Sequence, residues 1–158
     1  MNITNSMAVS NMKGKKERII SITIFVIYII ALCYFLFFAE SMGRTTRGDE
    51  YHYNLQPLFE IKRIWRSRHI LGMKYVILNF AGNVIAFIPF GYLLPKMVKK
   101  KPGLFHTVLF SFEFSLLVEL TQLISRTGSF DVDDLILNTF GGLIGYILYY
   151  GRVVSGKK

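Results

Sequence analysis

The chain has 158 residues, 52% of them hydrophobic and 18% charged, with a mean hydropathy of +0.38. That balance is too apolar for a soluble domain of this length and implies a membrane protein. The formal net charge of +9 sits in short clusters between apolar runs, as in membrane flanks, so a nucleic-acid partner is not expected.

A bilayer core of roughly 30 Å takes about 20 helical residues. Four stretches meet that need, and they are expected to form transmembrane helices at about 19–39, 75–95, 104–125 and 134–151. Residues 1–18 are polar and expected to be disordered and cytoplasmic. The first span, "IISITIFVIYIIALCYFLFFA", carries no charge. It exceeds the roughly 7 to 15 residues of a secretory signal core, so it reads as a retained anchor. Cys33, the only cysteine, lies inside it, which excludes a disulfide framework or a cysteine metal cluster.

The loop between the first two spans contains "NLQPLFEIKRIW", where Leu55, Leu58, Phe59, Ile61, Ile64 and Trp65 alternate with basic residues. An amphipathic segment lying at the membrane surface is expected there. The second span, "YVILNFAGNVIAFIPFGYLLP", carries Asn79 and Asn83 one turn apart, and a kink is expected at Pro89 and Gly91. The third carries Glu119, Gln122 and Arg126 at offsets that keep one helical stripe. The fourth opens on Asp131, Asp133 and Asp134 and continues with Asn138, Gly141, Gly142 and Gly145. Asp131, Asp134 and Asn138 repeat the same offsets, while Asp131 and Asp133 also suit a helix N-cap. G-x-x-x-G at Gly141 and Gly145 predicts close helix packing, either within the chain or as a homo-oligomer face.

Lysines and arginines before span one, between spans two and three, and after span four lie on one side. The positive-inside rule makes that side cytoplasmic, with both termini and the 155–158 tail on it. The expected architecture is all-α: four transmembrane helices in one bundle, with residues 19–154 as a single membrane domain. Its polar stripes meet near the outer face. A carboxylate at mid-bilayer costs about 2.5 to 3.5 kcal/mol, so Glu119 needs polar company. Asn79, Asn83, Gln122, Arg126, Asp131, Asp134 and Asn138 are the candidates to share a polar pocket with it. Arg126 has a further option in pairing with Asp131 or Asp134 across the turn at Gly128.

Three stretches resemble the VanZ-like family of bacterial membrane proteins: "NLQPLFEI", "NFAGNVIAFIPFGYLLP" and "VELTQLISRTGSFDVDDLILNTFGGLIGY". The resemblance covers roughly residues 20–150 and rests on N-x-x-x-N-x-x-x-F-x-P-x-G, E-x-x-Q-x-x-x-R and D-x-x-D-x-x-x-N-x-x-G-G. Gln56 and Leu58 depart from the apolar-Pro-Phe core of the loop motif. The family is named for a protein associated with teicoplanin resistance, which implies a role in the cell envelope and residence in the plasma membrane. Three functions follow. The first is binding of an amphiphile, such as a membrane lipid, a lipid-linked wall precursor or a lipoglycopeptide, without catalysis or cofactor. The second is a Mg²⁺-dependent enzyme on a lipid diphosphate, using the D-x-x-D of Asp131 and Asp134. The third is a small proton-coupled transporter using Glu113 and Glu119. Neither H-E-x-x-H nor G-x-S-x-G occurs, and the histidines show no metal-ligand spacing, so the first is preferred.

Overall fold

The structure, a computed structural model, describes residues 3–35, 51–126 and 128–156. It is mostly helical. The order is α1 (Ile3–Tyr34), β1 (Tyr53–Asn54), α2 (Phe59–Arg66), α3 (Arg68–Leu71), α4 (Met73–Met97), α5 (Leu104–Ser125), β2 (Phe130–Asp131) and α6 (Val132–Ser155). Gly14–Tyr34, α4 and α5 are each long and apolar enough to cross a membrane. The end of the first expected span falls outside the described residues.

Two expectations are revised. The N-terminal segment, expected to be disordered, is helical from Ile3. It contains no proline and a single glycine, Gly14, so little opposes propagation of the helix that begins in the apolar run. An all-α chain was expected, yet β1 pairs with β2 in parallel, with Tyr53 opposite Phe130 and Asn54 opposite Asp131. Strands of two residues leave no periodic trace in a sequence.

Contact between α4 and α6 is the most extensive in the fold. Its cause is a row of glycines. A Cβ on Gly91 would strike the Gly142 backbone, one on Gly141 the Val84 carbonyl, and one on Gly145 the Ile88 carbonyl. Without side chains the two backbones approach closely and gain dispersion along the contact. The Gly141 and Gly145 face, a candidate for self-association, is thus occupied inside the chain. α4 itself stays helical through both Pro89 and Pro95.

On its other side α6 packs against α5. Thr107, Ser111 and Ser115 are fully buried and spaced four apart, forming one row. Thr107 Oγ1 and Ser111 Oγ donate to carbonyls one turn back, at 3.1 and 2.8 Å, so these hydroxyls are satisfied without a neighbour. Small residues here let Gly142 sit directly under Ser111. Phe90 of α4 stacks on Phe114 of α5, with ring centroids 4.9 Å apart. α1 lies against α4, where Tyr28 Oη donates to the Ala86 carbonyl at 2.7 Å and Arg18 Nε to the Met97 carbonyl at 2.8 Å. The second bond satisfies a carbonyl that the last turn of α4 leaves exposed.

α2 has the amphipathic character expected of the loop. Ile64 is buried, whereas Phe59 and Trp65 remain exposed on the chain.

Candidate functional site

α5 ends at Arg126, whose φ of 56° is left-handed and reverses the chain. Gly128 N–H then returns to the Gln122 carbonyl at 3.3 Å, and Phe130 N–H reaches the His52 carbonyl at 3.1 Å. The loop after α1 is thereby fastened to the residues that open α6.

Three acidic residues within four positions, Asp131, Asp133 and Asp134, then face three ways. Asp131 is the N-cap of α6: its Oδ1 accepts the Asp133 N–H at 2.8 Å and Asn54 Nδ2 at 3.2 Å. Its own N–H donates to Glu119 Oε2 at 3.0 Å, so the buried Glu119 carboxylate holds the cap residue in place. Asp133, 1% exposed, turns toward α2. It accepts the Leu58 N–H on Oδ1 and the Ile61 N–H on Oδ2, the latter at 3.0 Å. Leu58 is left-handed (φ 63°) and supplies no side-chain cap to α2, so Asp133 caps that helix from a distant part of the chain. Asp134 Oδ1 accepts from Asn83 Nδ2 of α4. One turn deeper, Asn138 Nδ2 donates to Ser115 Oγ at 2.9 Å.

Between these elements lies a cavity of about 380 Å³. Asn54, Asn79, Asp131 and Asp134 line it, with Glu60 and Arg63 of α2 on one wall and Tyr75 of α4 on another. Arg63 pairs with Glu60 at 2.6 Å and its side chain is largely exposed. Among the polar residues singled out in the sequence, Asn79, Asp131, Asp133 and Asp134 border the space directly. Asn83 stands behind Asp134 and Glu119 behind Asp131. Gln122 is buried on the Glu119 face of α5, and Asn138 is buried with Ser115, both away from the lining.

Arg126 does not join them. Its guanidinium lies over the Tyr51 ring, 4.8 Å from the centroid, and the residue is exposed. Tyr51 gives Arg126 a cation–π partner, while Asp131 and Asp134 accept from amide donors. Glu113 is exposed on α5 while Glu119 is buried, so the two do not share an environment. Among the described residues, no group of three His, Cys, Asp or Glu side chains is placed to hold a metal ion. Sequence reasoning missed Asn54, Glu60 and Arg63 as lining residues. Asn54 opens the "NLQPLFEI" stretch and was the available signal; the other two read only as part of an amphipathic face.

Burial raises the Asp131 carboxyl above the ordinary carboxylate range, and the charges of Asp133 and Glu60 add to this against the Asp133 and Asn54 N–H donors. A raised folded-state value means stability that is present at low pH and lost as pH climbs through that value. The thermal midpoint of the wild type is therefore expected to rise relative to Asp131→Asn as pH falls toward the carboxylate range. Asparagine keeps the Oδ1 acceptor and does not titrate. A difference independent of pH would contradict this assignment.

Helices able to cross a membrane, with a polar end built from carboxylates and amides, define an integral membrane protein. A family model described as VanZ/LLP1 matches residues 25–154, and the chain belongs to that family. "Protein VanZ" of Enterococcus faecium is 43% identical over 67 residues, which cover 42% of this chain and 41% of that protein. The alignment thus spans about two-fifths of that relative's length. No solved structure matches the chain.

Proposed function

We propose that this protein binds the polar headgroup of an amphiphile in the cavity at the start of α4 and α6, on the outer side of the bacterial plasma membrane. In this reading α6 is the fourth span of a helical bundle, the termini are cytoplasmic, and α2 lies along the outer surface with Phe59 and Trp65 toward lipid. The supporting observation is the lining itself: Asp131, Asp134, Asn54 and Asn79 converge on one space between the loop and two helices. Carboxylates and amide oxygens accept hydrogen bonds from hydroxyl and ammonium groups, and they repel phosphate. The ligand they fit is a glycosylated headgroup whose sugar enters the cavity, as in a lipid-linked wall precursor or an acylated glycopeptide. Membership of the VanZ/LLP1 family supports a link to teicoplanin susceptibility.

Expression of the wild type in a teicoplanin-susceptible host is expected to raise tolerance. Asp134→Asn and Asn79→Ala should each lower that gain about fivefold, the equivalent of one hydrogen bond of roughly 1 kcal/mol. Arg126→Ala, outside the lining, should retain it, and immunoblots of membranes would establish equal insertion. Equal tolerance in every strain and in the empty host would remove the proposal. Chelator-sensitive turnover of a polyprenyl diphosphate by the purified protein would replace it with the enzyme reading.

A further inference from the structure

The opposite end of the molecule carries a second, larger cleft of about 1290 Å³, between the middle of α1 (Gly14 to Ile24) and the C-terminal parts of α4 and α6. On α4 the polar cavity is bordered by Asn79 and this cleft by Tyr92, which the helical rise of about 1.5 Å per residue separates by roughly 20 Å along the axis. Its chemistry is inverted. Lys15, Arg18, Lys96, Lys99, Lys101 and Arg152 line it against a single carboxylate, Glu17. Four of its neighbouring positions, Ile20, Ile24, Ile88 and Leu93, form an apolar floor that continues toward the membrane interior. Ile20 and Ile24 are each 48% exposed, so the floor is open on the α1 side.

Two of the cations are fixed in place. Arg18 Nε is anchored on the Met97 carbonyl, which orients the rest of its guanidinium, and Lys96 Nζ sits 3.9 Å from the Tyr92 ring centroid. Cations held beside an apolar slot at the end of membrane-spanning helices complement an anionic group attached to an acyl chain.

We infer that this cleft is a specific binding site for an anionic phospholipid, its phosphate held among Arg18, Lys99 and Arg152 and its chain laid along Ile20 and Ile24. The site is independent of the outer cavity and of whatever that cavity binds. The test uses full-length protein in nanodiscs of phosphatidylcholine doped with phosphatidylglycerol, with retained lipid counted by native mass spectrometry. Wild type should retain phosphatidylglycerol over phosphatidylcholine. Lys99→Gln with Arg152→Gln should weaken retention by about tenfold or more, with an unchanged thermal midpoint required because the Arg152 side chain also reaches Tyr92 of α4. Lys16→Gln with Lys100→Gln removes the same charge from basic positions outside the lining and should change retention less than twofold. Equal loss in both double variants would show a diffuse surface field and overturn the site. Absence of any preference for the anionic lipid would do the same. Displacement of retained lipid by micromolar soluble tripolyphosphate, with tighter binding of that ion in lipid-free detergent, would make a free polyanion the occupant and overturn the lipid assignment.

Discussion

Replacing Asp133 with alanine is expected to destabilise the protein by about 3 kcal/mol, more than any other single change among its acidic residues. The carboxylate is 1% exposed and accepts two main-chain N–H groups, those of Leu58 and Ile61. Removing it leaves both part-buried donors without their acceptor at the start of α2, where Leu58 offers no side-chain cap. Asp133→Asn keeps one acceptor oxygen but turns an amide NH₂ toward the other donor, so about half the loss should remain. Asp131→Asn, by contrast, keeps its accepting oxygen and should fold. The measurement is the thermal midpoint in detergent, together with tryptic cleavage at Lys62 and Arg66, which should accelerate in Asp133→Ala before global unfolding. An unchanged midpoint and cleavage rate would contradict the trans-capping role.

Gly91→Ala is the second change of this size, and its lesson lies in what fails to rescue it. The new methyl would meet the Gly142 carbonyl, which is main chain, so only separation of α4 from α6 relieves the clash. Overpacking of this kind costs about 1 to 3 kcal/mol when side chains can move, and a main-chain obstacle puts Gly91→Ala at the upper end or beyond. Gly142→Ala differs because its methyl meets Ser111 Oγ and Cβ. Adding Ser111→Gly removes those atoms. The pair should then be non-additive by about 1 to 2 kcal/mol in the stabilising direction, even though glycine inside α5 carries its own helical penalty of about 1 kcal/mol. Ser111→Gly combined with Gly91→Ala should be additive. Equal coupling in both cycles would show that the glycines do not set the helix separation.

How much of this was legible beforehand follows from the range of each interaction. α4 and α5 are visible as uncharged runs because twenty consecutive apolar residues are a local property. The stripe Glu119–Gln122 and the pair Asn79–Asn83 are likewise fixed by helical geometry, and both turn inward or toward the cavity. Asp133 read as a cap for the fourth span, whereas it caps α2, a partner 72 to 75 residues away that no local pattern reveals. Arg126 misled for the opposite reason. Its nearest acidic residues in sequence are close, but the left-handed turn sends the side chain to Tyr51, whose proximity depends on the loop. The glycine row was readable as close packing, though choosing between an internal neighbour and a second copy required knowing that α4 lies alongside.

The fastening of β1 to β2 and of α2 to Asp133 has a bearing on biogenesis. β1 and α2 are synthesised early, while the residues that lock them emerge from the ribosome only with α6. Until α6 is made the loop lacks its clasp and the cavity lacks one wall. A chain cut short after α5 would keep its earlier helices but present an unlatched loop to proteases, so α6 acts as a checkpoint on the closure of that loop.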